Sequence, residues 1–316
     1  MIVARLRQIA QMVRYIGKPL ILLAIYDQLI VLAYKLLHWN WLSLPHIPLA
    51  LYGSAIGIIL SFRNLSCYGR WWEARTLWGA IVNNSRSWAR QVVSMRPINR
   101  ADSGELATMQ RRMVYHQIAY VHALRQHLRK LSPWPDLAPL LSDLELSELQ
   151  IEKNVPLALQ RRMTDMLQYC RDRGWTEGWQ WLAMDRSLCD LANAQGGAER
   201  IKNTPMPKQY DFFPQLFVHI YCFLLPLALV GPMGWYTPLG STLVGFIFLA
   251  LDKIGRDLED PFENTSHDVP LNSITRTIDI NLRQLLGETN LPEDLSPMNE
   301  YLVESPDFPE AIFRRG

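Results

Sequence analysis

The chain has 316 residues, 49% of them hydrophobic, and 32 Lys and Arg set against 30 Asp and Glu leave a formal net charge of +2. So small a surplus, with no basic cluster interleaved with aromatics, excludes a nucleic-acid binder. Cys67, Cys170, Cys189 and Cys222 form no CxxC pair, which excludes a paired-thiolate metal site and fits reduced, buried thiols.

Residues 1–18 alternate Arg5, Arg7, Arg14 and Lys18 with Ile2, Leu6, Ile9, Met12, Val13 and Ile16. That pattern predicts an amphipathic helix, either lying on a membrane surface or packed on the rest of the fold. The N-terminus lacks the short apolar core and cleavage site of a signal peptide. After Pro19, the run Leu20 to Leu37 approaches the length of a roughly 30 Å hydrocarbon core at about 1.5 Å per residue. Lys35 can snorkel near its end, and His38, Trp39 and Trp41 supply an aromatic belt. Asp27 at that depth must face protein or water, as a functional site or as the acceptor of a neighbouring helix's hydrogen bond.

A loop without Lys or Arg, Asn40 to His46, leads to a second apolar run, Ile47 to Phe62. Gly53 and Gly57 form a GxxxG face for close helix approach, while Ser54, Ile58 and Phe62 share a stripe at i, i+4 and i+8. From Arg63 to about Tyr210 the chain is charged, Trp-rich and helical in period. Trp71, Ala74, Trp78, Ile81, Ser85 and Trp88 mark one face of a long helix. Further helices are expected over roughly 103–131, 142–152, 157–172 and 178–195, the last ended by Gly196-Gly197. Phe212 to Val230 and Leu239 to Leu251 are the third and fourth apolar runs, joined by a turn over 231–238 without basic residues. The end, from about Leu291, is Pro-rich and acidic and is expected to dock as an extended strap or to stay disordered.

Four basic residues precede the first run, Lys35 lies inside it, and the other 27 fall in 63–210 or after 252. The positive-inside rule therefore puts both termini and the helical middle in the cytoplasm. This predicts an all-α, multi-pass membrane protein in four segments: an N-terminal helix and first hairpin (1–62), a cytosolic helical domain (63–210), a second hairpin (211–252) and a cytosolic C-terminal segment and tail (253–316).

No HxxxH, HExxH, GxGxxG, Walker loop or GxSxG is present, so no enzyme chemistry is expected. The acidic stretch Asp257 to Asp268 offers oxygen ligands for a cation such as Ca²⁺, or caps nearby helices. The layout fits a pore better than an enzyme, and four membrane helices enclose no conduit alone, so the pore belongs on an oligomer axis.

Phe62-Arg63, Tyr68, Arg70-Trp71-Trp72-Glu73-Ala74-Arg75, Trp78-Gly79 and Asn83 to Arg86 resemble the bestrophin family, nearest its bacterial branch. So do Gln195-Gly196-Gly197, Glu199-Arg200-Ile201 and Asn203-Thr204-Pro205, and then Leu258-Glu259-Asp260-Pro261-Phe262, Asp268-Val269-Pro270-Leu271 and Ile278 to Leu282. The resemblance implies a homopentameric channel for small monovalent ions in the inner membrane of a bacterium, with four membrane helices per subunit. It implies a hydrophobic neck at Ser54, Ile58 and Phe62, and a second, cytosolic constriction within Trp179 to Asp185, with Trp179, Leu182 and Asp185 as candidates. Ser54 is small and polar where an apolar ring is expected, and Leu65 stands where the motif usually has Asn. Animal members bind Ca²⁺ with two carboxylates at positions that here read Thr265 and Asp268. That leaves Asp260 and Asp268 as a weak Ca²⁺ pair and no required cofactor. Selectivity between chloride and sodium-type cations stays open, and the competing reading is a membrane-anchored scaffold whose cytosolic helices bind a partner protein.

Overall fold

The computed structural model describes residues 15–44, 48–97, 103–265 and 267–295. Most of the expected N-terminal amphipathic helix (1–18), part of the first loop and the acidic tail beyond 295 lie outside the described residues. Among the described residues the regular structure is helical, without strands. In chain order the helices are α1 (Lys18–Leu36), α2 (Leu49–Ser94), α3 (Ser103–Arg129), α4 (Trp134–Leu137), α5 (Asp143–Leu149), α6 (Val155–Asp172), α7 (Gly178–Asn203), α8 (Lys208–Met233), α9 (Thr237–Asp257) and α10 (Leu271–Leu285).

Among the described residues, three stretches are long and apolar enough to cross a membrane: Lys18–Leu36, Leu49–Ser94 and Lys208–Asp257. The third comprises α8 and α9, separated at Gly234, whose φ of 54° turns the chain in a conformation that glycine adopts at little cost. The turn is shorter than expected. Helix α8 continues through Pro226 and Pro232 to Met233, and α9 begins at Thr237 with a proline in its first turn. Helix α2 has 46 residues, about 69 Å at 1.5 Å per residue, more than twice the hydrocarbon thickness.

The chain divides into two compact units, 1–70 with 205–259 and 71–204 with 260–316. In the first, α1, α8, α9 and the start of α2 bury Leu20, Leu23, Ile56, Leu60, Val218, Leu225 and Leu249. Close approach is built in: a Cβ on Gly245 would sit 2.2 Å from Leu23 Cδ2, and one on Gly53 would sit 2.9 Å from the Tyr221 hydroxyl. Asp27 is fully buried and accepts hydrogen bonds from Ser241 Oγ (2.9 Å) and Thr242 Oγ1 (3.0 Å) of α9. Of its two expected roles, the structure supports the helix-to-helix acceptor. Meanwhile Ile21, Leu22, Ile25 and Leu29 of α1, with Leu239, Leu243 and Ile247 of α9, face outward. That inverted pattern suits a lipid solvent.

In the second unit, α3 packs between α6 and α10, and α6 packs on α7. The expected stripe of α2 is the core face: Ala74, Trp78, Ile81, Ser85 and Trp88 are all fully buried. Ser85 Oγ accepts from Gln117 Nε2 at 2.8 Å and donates to the Ile81 carbonyl, so the one hydroxyl in the stripe is satisfied. Helix α7 does not stop at Gly196-Gly197 but runs to Asn203. A Cβ on Gly197 would come 2.8 Å from Leu77 Cδ2, so the glycine makes room for α2 rather than ending a helix. The segment after α10 returns along it, held by Ser273 Oγ to the Leu295 carbonyl (2.7 Å) and Arg276 Nη1 to the Glu293 carbonyl (3.1 Å). The described part of the C-terminal segment thus docks as the expected strap.

One charge cluster in this unit predicts an acid dependence. Glu145 Oε1 lies 3.3 Å from His116 Nε2 and 2.7 Å from Arg112 Nη2, while Ser142 Oγ donates to its other oxygen at 2.8 Å. The His116 contact above all, helped by Arg112 and Ser142 and opposed by burial, holds this carboxyl far below the usual carboxylate range. A depressed carboxylate contributes stability above its unfolded pKa of about 4.3 and loses it as pH falls toward the folded value. Thermal unfolding of the detergent-solubilised protein should therefore drop between about pH 5 and pH 3, and drop less steeply in Glu145→Gln. Parallel pH profiles for the two proteins would contradict this.

Candidate functional site

The first part of α2 presents two opposite faces. Ile56, Leu60, Arg63 and Cys67 are buried against the first unit, whereas Ser54, Ile58 and Phe62 all face away from it. Ile58 is 58% and Phe62 63% exposed, so more than half of each lies outside the packing of its own subunit. At about 100° per residue the three fall within an arc of about 80° and span about 12 Å of helix. Ser54 Oγ donates to the Ala50 carbonyl at 2.7 Å, which keeps the hydroxyl against its own helix.

Just past Phe62 the buried face turns ionic. Arg63, 2% exposed, donates from Nη1 to Asp252 Oδ1 (2.8 Å) and from Nη2 to the Asp252 carbonyl (2.5 Å). Asn64 Nδ2 donates to the Leu251 carbonyl at 2.9 Å, and Arg256 Nη2 lies 3.0 Å from Asp252 Oδ2. Both arginines thus bracket a carboxylate that is itself fully buried. The pair clamps α2 to the end of α9 and fixes the rotation of α2, hence the direction in which Ile58 and Phe62 point. Sequence reading missed this clamp. Its one signal was a charge at the end of each of two apolar runs. Further along, Arg70 Nε donates to the Glu259 carbonyl (3.0 Å), and Glu73 pairs with Arg200. Arg70 and Glu73 of the motif therefore reach partners distant in sequence.

The candidates for a second constriction separate. Trp179 and Leu182 are exposed on α7, Trp179 to 82%, whereas Asp185 is half-buried and lies about 120° around the helix from Trp179. Trp179 and Leu182 fit one lining face; Asp185 sits at its edge.

In the acidic loop, Asp260 accepts from Lys202 Nζ (2.6 Å) and from the Phe262 amide (3.1 Å). Asp268 accepts from the Thr265 amide (3.1 Å) and hydroxyl (2.6 Å), and burial raises its carboxyl above the usual range against those hydrogen bonds. Asp260 and Asp268 are the carboxylates a cation could use, yet each is engaged in holding the loop. Among the described residues no group of three or more His, Cys, Asp or Glu could hold a metal ion. Ca²⁺ asks for six to eight oxygens.

Comparison with known proteins gives this geometry a family. Residues 5–284 match the family described as Bacterial/Fungal Bestrophin protein. The chain is 33% identical over 261 residues to a voltage-dependent anion channel-forming protein of Ralstonia nicotianae, covering 81% of this chain and 84% of that one. It is also 33% identical over 254 residues to a protein of the same description from Escherichia coli, covering 80% and 81%. Among solved structures, a mutated form of a bacterial bestrophin homolog from Klebsiella pneumoniae superimposes with a TM-score of 0.78 at 32% identity, covering 86% of this chain and 99% of that one. The chain is a member of the bacterial and fungal bestrophin family.

Proposed function

We propose that this protein is an anion channel, five copies of which surround one axial pore lined by α2. The observation that carries the reading is the outward stripe Ser54, Ile58 and Phe62 on a helix whose opposite face is clamped by Arg63 and Asp252. One such helix cannot enclose a conduit, whereas a ring of them can, and apolar rings at the narrowest level gate by dewetting. In this reading α1, the first part of α2, α8 and α9 are the four membrane helices, in the inner membrane of a bacterium, with both termini and the second unit in the cytoplasm. Trp179 and Leu182 supply a second, cytosolic constriction. An apolar neck does not select the sign of charge. The anion assignment rests on the relatives named as anion channel-forming proteins.

The test is the purified protein in a planar bilayer under asymmetric NaCl. Unitary currents that reverse near the chloride equilibrium potential support the proposal. Reversal near the sodium potential overturns its selectivity, and absence of unitary conductance overturns the channel in favour of a scaffold. Crosslinking that ends at a dimer contradicts the five-fold ring. Because Asp260 is engaged by Lys202 and Asp268 by Thr265, chelating Ca²⁺ on the cytosolic side should leave open probability unchanged. A fall on adding chelator, restored by Ca²⁺, would make the acidic loop a working cation site.

A further inference from the structure

The outward face of α2 is wider than the stripe at its centre, and its next members change the shape of the neck. With Ile58 set at zero and about 100° per residue, Ser54 lies at about −40° and Phe62 at about +40°. On the same scale Leu65 lies at about −20°, closer to the middle of the stripe than either. Any axis faced by Ser54, Ile58 and Phe62 is therefore faced by Leu65. The structure agrees: Leu65 is 68% exposed, more than Ile58 or Phe62, while Arg63 and Cys67 on either side of it are buried. One turn further, Gly69 sits at about +20° with no atom of the described chain within 4 Å of where its Cβ would be, so the column of apolar side chains ends there. At the other end, Ser54 interrupts the column with an exposed oxygen whose proton is committed to the Ala50 carbonyl.

We propose that the dry part of the neck is Ile58, Phe62 and Leu65, about 10.5 Å of helix, with Leu65 as its innermost ring and Ser54 a hydrated ring outside it. The apolar constriction is thus displaced by one turn toward the cytoplasm relative to the stripe Ser54, Ile58 and Phe62. This rests on the reading of α2 as the pore helix. It makes Leu65 a determinant of ion passage in its own right. A ring of leucines presents no partner for an ion leaving its hydration shell, so water must be expelled or retained over the whole run from Ile58 to Leu65.

Unitary conductance and open probability in planar bilayers, measured for Leu65→Ala, Leu65→Asn, Ser54→Ala, Ile58→Ala and Phe62→Ala, test the proposal. Leu65 is 68% exposed in its own subunit, outside its buried core, so its variants should elute from gel filtration as the wild-type assembly does. Leu65→Ala is expected to raise ion flux by roughly threefold or more, as Ile58→Ala does. Leu65→Asn, of similar size, should raise it too, because polar atoms hold water in the ring and width alone would not change. Ser54→Ala takes the hydroxyl out of the hydrated ring and should lower flux. If Ile58→Ala raises flux and both Leu65 variants match wild type, Leu65 lies outside the neck and the proposal fails while the pore reading stands. If Ser54→Ala raises flux as Leu65→Ala does, the hydrated ring is wrong. If no variant among Ile58, Phe62 and Leu65 changes flux, the assignment of α2 to the pore falls with it.

Discussion

Asp252→Ala is expected to destabilise the protein by about 3–5 kcal/mol, enough to remove most of the folded material. The side chain removed is the counter-charge of Arg63, whose guanidinium is buried and donates twice to residue 252. Taking away the carboxylate leaves the buried cation with only the part-exposed Asp211, 3.8 Å from Arg63 Nη1, and that desolvation penalty dominates the loss. Asp252→Asn keeps the shape and one acceptor yet still removes the close counter-charge, so it should be nearly as damaging. Replacing both partners, Arg63→Met with Asp252→Leu, removes the stranded charge and should recover part of the loss. Gly255 supplies an independent probe of the same clamp. A Cβ there would lie 2.3 Å from Asn64 Oδ1 and 2.7 Å from Arg63 Nε and Nη2, so Gly255→Ala must push the clamp apart without removing a charge. Yield of monodisperse assembly and unfolding temperature in detergent are the readouts. An Asp252→Ala protein that unfolds within about 2 °C of wild type would show that the pair contributes little.

The clamp also marks where the sequence stopped being legible. Helices were readable because their apolar period is local, and the stripe from Ala74 to Trp88 emerged as the buried face in the expected register. The outward stripe Ser54, Ile58 and Phe62 was readable for the same reason. Partners distant in the chain were not: Arg63 and Asp252 are 189 residues apart, and nothing local to either tells which helix end it will meet. Asp27 announced that it needed a partner but not that Ser241 and Thr242 would provide it. Glycines misled in an instructive way. Gly196-Gly197 carries the usual helix-stop signal, yet α7 continues because Gly197 is needed beside Leu77. Gly53 and Gly57 looked like one packing face, but Gly53 accommodates Tyr221 within the subunit while no atom of the described chain lies within 4 Å of a Cβ on Gly57. Small size is written in the sequence; the reason for it is not.

Ile58→Ala and Phe62→Ala should increase ion flux while leaving the subunit folded, the opposite separation of effects from the clamp variants. Both side chains are more than half exposed in the subunit, so truncation opens no cavity in its core and removes no buried partner. In the proposed five-fold ring their effect on the pore is instead multiplied by symmetry, since one substitution in the chain would change five side chains. A barrier change of about 1.4 kcal/mol alters a rate tenfold, so about 0.3 kcal/mol per subunit is enough. Removing a phenyl ring, or the three outer carbons of the isoleucine, exceeds that amount many times over at about 0.8 kcal/mol per methylene-sized unit of apolar bulk, even if only a fraction is felt by a passing ion. The direction follows from dewetting: less apolar bulk lets water stay in the ring, and an ion then crosses with more of its hydration shell intact. Ile58→Val should fall between wild type and Ile58→Ala. Chloride flux from proteoliposomes, normalised to the amount of assembled protein, measures the series. A decrease in flux, or no change at unaltered assembly, would remove Ile58 and Phe62 from the narrowest part of the pore and leave the apolar face of α2 to lipid or to a neighbouring subunit.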